Sequence, residues 1–442
     1  MESNAKNRRA ETKQTAVETP NWPGWPRRLL DRIRGVLLYG GGDVAGGLRT
    51  RLTSVSVAPH VTEIQDYTFS GCTNLAEVEL NEGTRTIGAA AFLDCVALRS
   101  VTVPSAVRKL GSGAFSGCIN LVELYLNEGL QVIGAGAFHN CRALRSVIIP
   151  STVTRLDYDA FYGCESLVEV HLNEGLEVVG ERAFSGCKVL RRVALPSSVT
   201  ELGKYAFYGC CSLAEMKLNE GLRVVGENAF KMCTSLRSVT VPSTLTELGI
   251  LAFSQCCNLS EVIFLGGESL LRHDFLETPP CEEGILNQHN IIEMIGRDAF
   301  FGCSLKTVKI SASWALLERM ERLPPDCWAS IVERIRGLPC LELTQDGDIL
   351  ASFPLSRALD NEPVIRDTNL VTARSLCQAS QTIALNELRE AIILFELATW
   401  KSGIGGETDE IDSRVPIPGP AKSLIKEYCG FAGLLGPTIE GS

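Results

Sequence analysis

Apolar and polar positions repeat every 23 residues through the central part of this chain. Phenylalanine marks the period, because every step from Phe69 to Phe253 is 23 residues and Phe300 follows after 47. The phenylalanine column comprises Phe69, Phe92, Phe115, Phe138, Phe161, Phe184, Phe207, Phe230, Phe253 and Phe300. Such a period is the signature of a repeat architecture, in which each unit packs only against its neighbours.

Each unit predicts a strand, a turn and a return segment. In the motif LxxVxL the apolar residues alternate, which is typical of a short strand with one buried side. The strand ends at Asn-Glu-Gly or Pro-Ser, since proline lacks a ladder donor and glycine permits a turn. A second apolar stretch such as Val132–Ile133 runs back along the other side, and Ala137–Phe138 inserts into the core. The pattern predicts an α/β-type repeat solenoid of 23-residue units with a parallel β-sheet on one face.

A glycine also recurs near the end of most units, from Gly88 to Gly249, and Asp157 takes its place once. Both residue types tolerate positive φ, so we expect a left-handed backbone at this position.

The pattern AFxxCxxLxxVxLPxxVxxIG resembles the BspA-like, or treponemal-type, leucine-rich repeat. Two units read AFHNCRALRSVIIPSTVTRL and AFSGCKVLRRVALPSSVTEL, and the resemblance covers roughly residues 51–264 and about 291–311. It implies the leucine-rich-repeat fold, and it implies adhesion or protein binding in some bacterial and protist surface proteins of the family. The segment ELATWK, Glu396 to Lys401, looks like a C-terminal helical motif of the family's eukaryotic-algal branch.

The composition along the chain divides it into four regions. Apolar residues recur at helical spacing on both sides of Pro324–Pro325 and again over about 369–401, which predicts helices that close the solenoid. Leu385, Leu388, Ile392, Phe395 and Leu397 are the expected apolar side of the longer helix. The predicted regions are a disordered leader at 1–50, which ends in a glycine-rich linker; the solenoid at 51–311, with an irregular insert at 265–290; a helical C-terminal region at 312–402; and a flexible tail at 403–442.

Charge and hydropathy narrow the classes of partner. The 442 residues carry a formal net charge of −10, which argues against nucleic-acid binding, because that needs a basic surface. No apolar run reaches the roughly 18 residues that span a bilayer, and the N-terminus lacks the apolar core of a secretory signal. We expect a cytoplasmic protein with no membrane span, although a non-classical export route stays open.

The cysteine column, three residues after each phenylalanine, is the most conspicuous candidate chemistry. One thiol per layer forms a line, whereas a zinc site needs about four ligands that converge. His273, Cys281 and His289 share the insert, but their spacing matches no metal motif. No unit differs from its neighbours in a way that marks a nucleophile. We therefore expect structural thiols, no metal, no cofactor and no enzymatic activity.

The outward positions of the strands offer a better candidate site. Units of Asn-Glu-Gly type alternate with units of Pro-Ser type, so the full period is 46 residues. One interpretation is electrostatic register, because like charges stacked directly would repel each other. The other is a partner-binding face, because its centre mixes aromatic, aliphatic and cationic groups. The candidate partner-binding residues are Glu123, Tyr125, Ile148, Glu169, His171, Arg192 and Lys217.

Three functions compete on this sequence. The favoured one is a non-catalytic scaffold that binds a protein partner with the strand face. The alternative is an adhesin or surface-recognition protein with a protein or glycan ligand. The third, an enzyme or a regulator of one, would act through the insert or the helical C-terminal region.

Overall fold

The computed structural model describes residues 35–266, 299–344, 348–354, 356–357, 363–364 and 370–404. Residues 1–34, 267–298 and 405–442 lie outside the described residues. The predictions for most of the leader, for nearly all of the insert with its His273, Cys281 and His289, and for almost the whole tail therefore fall outside the structure.

The strands of the LxxVxL motif lie side by side and form the strand face. From β2 to β20, each hydrogen-bonded pair is parallel and matches residues 23 positions apart, as in Glu169 with Arg192 and Arg192 with Glu215. The strands are β2 (Ser54–Val57), β4 (Glu77–Glu79), β6 (Ser100–Thr102), β8 (Glu123–Tyr125), β10 (Ser146–Ile149), β12 (Glu169–Leu172), β14 (Arg192–Ala194), β16 (Glu215–Lys217), β18 (Ser238–Val241), β20 (Glu261–Phe264) and β21 (Thr307–Ser311). Strand β21 pairs directly with β20, so the units on either side of the insert stack on each other.

The return segments form a second parallel sheet of nine two-residue strands on the opposite side of the solenoid. Its strands are β3 (Glu63–Ile64), β5 (Thr86–Ile87), β7 (Lys109–Leu110), β9 (Val132–Ile133), β11 (Arg155–Leu156), β13 (Val178–Val179), β15 (Glu201–Leu202), β17 (Val224–Val225) and β19 (Glu247–Leu248). The predicted parallel solenoid of 23-residue units is confirmed.

The phenylalanine column forms the centre of the core. Consecutive rings are stacked with centroids 5.0–5.6 Å apart, as between Phe92 and Phe115 at 5.0 Å and between Phe115 and Phe138 at 5.6 Å. Offset stacking of aromatic rings adds to the stabilisation that burial gives. The two sheets and the turns between them enclose this stack. A single unit could not bury its phenylalanine alone, so the core depends on stacking of the units.

The glycine near the end of each unit has a different role from the one predicted. Gly134 and its equivalents are absent from the residues with positive φ. A Cβ atom at Gly134 would lie 2.7 Å from the Leu110 carbonyl oxygen of the preceding unit, and one at Gly203 would lie 2.6 Å from the Glu181 nitrogen. Close approach of backbones therefore favours glycine at these positions, and the prediction of a left-handed backbone was wrong.

The ordered part begins before the predicted boundary at residue 50. Strand β1 (Val36–Tyr39) pairs in parallel with β2, and helix α1 (Gly46–Arg49) follows the glycine-rich segment. Leu37 and Tyr39 are buried, and the Tyr39 ring packs edge-on against Phe69 with centroids 5.0 Å apart. This strand caps the stack, so the assignment of residues 35–50 to a disordered leader was wrong.

The C-terminal region contains the predicted helices α2 (Ser313–Met320), α3 (Pro325–Arg336) and α4 (Leu370–Ile404). It also contains strands, which the prediction of a helical region missed: β22 (Leu341–Leu343), β23 (Ile349–Pro354), β24 (Ser356–Arg357) and β25 (Pro363–Val364). Strand β23 pairs antiparallel with β21 and extends the strand face, and β22 pairs with β23 at the edge of the sheet. Ile349 and Phe353 of β23 are buried.

The apolar side predicted for α4 was also wrong. Leu385 and Ile392 are exposed, whereas Leu376, Ala379 and Ile383 are buried. The buried side faces the C-terminal end of the solenoid, where the Arg319 Nη2 atom of α2 lies 2.6 Å from Glu387 Oε2 of α4. The side chains of Phe395 and Leu397 lie outside the described residues.

Candidate functional site

The seven candidate residues lie on the outer surface of five successive strands of the strand face, β8 to β16. All seven side chains are exposed. Side chains alternate along each strand, so the residue between two outward positions, such as Leu124 between Glu123 and Tyr125, points inward. The Tyr125 row comprises the equivalent positions Thr102, Tyr125, Ile148, His171, Ala194 and Lys217. Ladder pairing joins Thr102 to Tyr125 and Ile148 through to Lys217, and β8 lies beside β10 in a separate hydrogen-bonded sheet. The Glu123 row lies beside it and comprises the equivalent positions Ser100, Glu123, Ser146, Glu169, Arg192 and Glu215, with the same break in pairing between β8 and β10.

The Tyr125 row carries an exposed apolar pair at its centre. The side chains of Tyr125 and Ile148 are 56% and 59% exposed, which is high for residues of their size. His171 follows Ile148 in register on the next strand. A tyrosine, an isoleucine and a histidine on adjacent rigid strands form a preformed surface that can bury apolar area against a partner.

Local contacts orient two of these side chains. The Tyr125 hydroxyl donates to Glu123 Oε2 at 3.5 Å, and His171 Nε2 lies 3.2 Å from Glu169 Oε1. Each pair joins the Glu123 row to the Tyr125 row on its own strand, the first on β8 and the second on β12. Each exposed contact contributes at most about 1 kcal/mol, so these contacts position side chains more than they stabilise the fold.

The 46-residue alternation has a cause that sequence reasoning missed. The glutamate of each Asn-Glu-Gly turn accepts hydrogen bonds from the Pro-Ser turn of the next unit. The Ser151 hydroxyl donates to Glu128 Oε2 at 2.8 Å, and the Ser151 backbone N–H donates to the same atom at 3.1 Å. The other pairs are Glu82 with Ser105, Glu174 with Ser197, and Glu220 with Ser243. The alternation is thus a hydrogen-bond register, which accounts for it more directly than charge spacing does.

A second cluster, partly exposed, lies in the turns that hold the phenylalanine column. We name His139, Tyr158, Asp159, Tyr162, Arg182, Tyr205 and Tyr208 the turn-side cluster. The rings of His139 and Tyr162 stack at 4.9 Å, and the Arg182 guanidinium lies 5.4 Å from the centroid of the Tyr205 ring. The sequence signal for this cluster is the recurrence of tyrosine directly after Phe161 and Phe207.

Asp159 gives the turn-side cluster a polar centre. Its backbone has a positive φ of 56°. Its Oδ1 atom is buried and accepts no hydrogen bond from the described residues. Burial raises the pKa of this carboxyl, and the nearby His139 and Arg182 oppose that effect.

The cysteine column is part of the core. The Sγ atom of Cys141 donates to the Phe115 carbonyl oxygen at 3.3 Å, and the same contact recurs through the stack. Burial raises the pKa of Cys72 to about 11 and that of Cys164 to about 12. A thiol rather than a thiolate prevails at neutral pH, which disfavours both nucleophilic attack and metal binding. Cys211 and Cys257 are more exposed, as expected from their position beside the column.

Two further kinds of feature are absent from the described residues. In that part of the chain no three histidine, cysteine, aspartate or glutamate side chains converge in a way that could hold a metal ion. Among its helices, none combines the length and hydropathy that a bilayer-spanning segment requires.

Comparison with known families gives one match. The family described as BspA type leucine rich repeat region matches in six copies, at residues 48–168, 157–275 and 272–320, which is more than half of the chain. A comparison with curated proteins gives no match.

Several solved structures are similar to parts of the chain. A leucine-rich-repeat protein of T. pallidum is 38% identical, covers 32% of this chain and has a TM-score of 0.30. The aligned part is just under two thirds of that protein, at 66%. A leucine-rich cell surface protein of Faecalibacterium prausnitzii is 25% identical over 48% of this chain and 69% of its own, with a TM-score of 0.36. A leucine-rich-repeat protein of Eubacterium ventriosum is 24% identical over 52% of this chain and 74% of its own, also with a TM-score of 0.36.

Proposed function

Because the chain belongs to the BspA-type leucine-rich-repeat family, we propose that it is a non-catalytic scaffold that binds a protein partner with its strand face. Members of this family are generally non-catalytic and typically bind proteins. The observation that carries the proposal is the exposed pair Tyr125 and Ile148, with His171 beside it, on strands whose turns are tied together by the glutamate–serine hydrogen bonds. A rigid surface loses little conformational entropy when it binds.

The residues that we expect at the contact are those of the two rows. Tyr125 and Ile148 supply apolar area at the centre, and His171 and Arg192 supply donors beside it. Glu123, Glu169 and Lys217 form a charged rim, which affects the association rate and the specificity more than the affinity.

Co-purification from the native organism tests this proposal. The full-length chain is compared with a Tyr125→Ala/Ile148→Ala/His171→Ala variant and with a control, Tyr158→Ala/Tyr162→Ala, on the other surface. We expect a partner that the wild type and the control capture and that the strand-face variant loses. A partner that all three capture equally would exclude the strand face.

A second candidate function is recognition of a glycan by the turn-side cluster. The observation that favours it is the combination of the exposed Tyr158 and the half-buried tyrosine rings with the Arg182 guanidinium and the Asp159 oxygen, which accepts no hydrogen bond from the described residues. Tyrosine presents an apolar ring together with a polar hydroxyl, and a carboxylate can accept hydrogen bonds from sugar hydroxyls. Glycan-array binding that Tyr162→Ala abolishes and Ile148→Ala leaves unchanged would support this function over the first.

Location and lineage are further parts of the proposal. A reducing compartment such as the cytoplasm is supported by the cysteine column, in which each thiol keeps its proton to donate to a carbonyl. Alkylation of the protein in intact cells, compared with purified oxidised protein, tests this assignment. Membership of the eukaryotic-algal branch is supported by the ELATWK motif, which lies on helix α4.

A further inference from the structure

A depression interrupts the arginine column, which we define as Arg99, Arg145, Arg191 and Arg237. These arginines recur every second unit, one residue before the outward positions of the strands. The position between successive arginines holds Val122, then Val168 and then Ala214. Since alanine lacks the two methyl groups of valine, the surface between Arg191 and Arg237 sinks into a depression of about 330 Å³.

The lining of this depression is cationic. It contains Arg191, Arg192 and Arg237 against the single carboxylate of Glu215. All three arginines are exposed, and among the described residues none of them has an ion pair. Three cations against one anion contrast with the net charge of −10 of the whole chain.

Two serine hydroxyl groups and Asn258 complete the polar lining. The backbone N–H groups of Ser212 and Ser235 donate to carbonyl oxygens of the preceding unit at 3.0 and 3.1 Å. Their hydroxyls make no hydrogen bond to the described part of the chain. Between Arg99 and Arg145 the equivalent positions hold Asn120 and Ala143, so the hydroxyl pair belongs to the Ala214 depression.

We infer that the depression between Arg191 and Arg237 binds carboxylates of an acidic segment of the protein partner. This inference rests on the proposed scaffold function and deepens it, because Arg192 lies both in the depression and in the Glu123 row. Guanidinium groups match carboxylates in a bidentate geometry. Glu215 repels any anion, so the depression offers an excess of two positive charges, which two neighbouring carboxylates of an acidic segment can match.

Fluorescence anisotropy with a labelled hexaglutamate peptide and the full-length chain at low ionic strength tests this site. We expect Arg191→Ala/Arg237→Ala to weaken binding about tenfold or more. The matched control Arg99→Ala/Arg145→Ala removes the same charge from the same column, and we expect a change within about twofold. Ala214→Val restores the valine that the fold holds at 122 and 168. It should weaken binding about fivefold because the depression is filled.

The remaining outcomes overturn the inference. Equal losses in the two double variants would show attraction by overall charge. Unchanged binding in Ala214→Val would show that the depression is not the site, and tighter binding of a phosphoserine peptide would refute the choice of carboxylate. If hexaglutamate does not bind to the wild-type chain, the inference is also overturned.

The inference can fail while the proposed scaffold function stands. A partner that Tyr125→Ala/Ile148→Ala/His171→Ala loses and that Arg191→Ala/Arg237→Ala keeps would remove the acidic-segment site alone. A hexaglutamate site without any partner on the strand face would remove the scaffold function instead.

Discussion

Glu128 accepts two hydrogen bonds from Ser151, one from the hydroxyl at 2.8 Å and one from the backbone N–H at 3.1 Å. The two residues are 23 positions apart, so the contact joins consecutive units rather than neighbours in sequence. It satisfies a backbone donor in the turn after β10, as a capping side chain does at a helix start. Repetition of this contact explains why Asn-Glu-Gly and Pro-Ser units alternate along the chain.

Removal of this bond should destabilise the solenoid slightly. We expect Glu128→Ala to lower the free energy of unfolding by about 0.5 to 1 kcal/mol, because it leaves the exposed turn without its acceptor. Urea unfolding followed by circular dichroism measures the change. Glu201→Ala removes an exposed glutamate with no side-chain hydrogen bond in the described residues, and it should have a smaller effect. Equal effects would refute the role of the bond.

The equivalent bond at Glu174 predicts a pH dependence. The Ser197 backbone N–H and hydroxyl lower the pKa of Glu174 below its usual 4.5. A carboxylate with a lowered folded-state pKa contributes stability above its unfolded-state pKa and loses it as the pH falls through the folded-state value. The difference in melting temperature between wild type and Glu174→Gln should therefore be present at neutral pH and disappear in acid. A difference that is the same at both pH values would contradict this account.

The phenylalanine column predicts the largest stability effects. Phe161 is fully buried and stacks between Phe138 and Phe184 at 5.2 and 5.5 Å. Phe161→Ala should lower the free energy of unfolding by about 3–5 kcal/mol, since it removes buried area and leaves a cavity. The control is Phe301→Ala, whose ring is 62% exposed and which should change stability by less than about 0.5 kcal/mol. A loss below about 1 kcal/mol for Phe161→Ala would show that the stack is not the core.

Adjacent cysteines should differ in reactivity. Cys256 is fully buried and its Sγ lies 3.1 Å from the Phe230 carbonyl oxygen, whereas Cys257 is exposed. Peptide-resolved alkylation of the native protein should label Cys257 at least about a hundredfold faster. A reducing agent should leave the melting temperature unchanged. Similar labelling rates at both positions would contradict the packing of the column.

The sequence predicts the repeated core because the same side chains recur in every layer. Phe161 and Leu167 each have an equivalent one period away, so their periodicity shows which side of the unit is buried. The outward direction of Tyr125 and Ile148 follows from strand alternation alone, and the structure agrees. What these positions bind does not follow from their exposure.

Features that occur once, or that depend on contacts between units, could not be predicted in this way. Tyr39 belongs to a strand without the phenylalanine or cysteine that marks a unit, so its role as a cap became visible only through its contact with Phe69. Ala214 became informative only when the packing placed it between Arg191 and Arg237. Helical spacing alone could not decide between Leu385 and Ile383 as the buried side of α4, because the packing against α2 decides it.

The central claim is that the strand face, rather than the turns, contacts the partner. Ile148 and Tyr158 offer a matched pair, because they are 59% and 60% exposed on different surfaces. A photo-crosslinking amino acid is placed at each position in the full-length chain, and the chain is irradiated in extract of the native organism. We predict a specific crosslinked protein from Ile148→benzoylphenylalanine and none from Tyr158→benzoylphenylalanine. A specific product from the Tyr158 position alone would contradict the account.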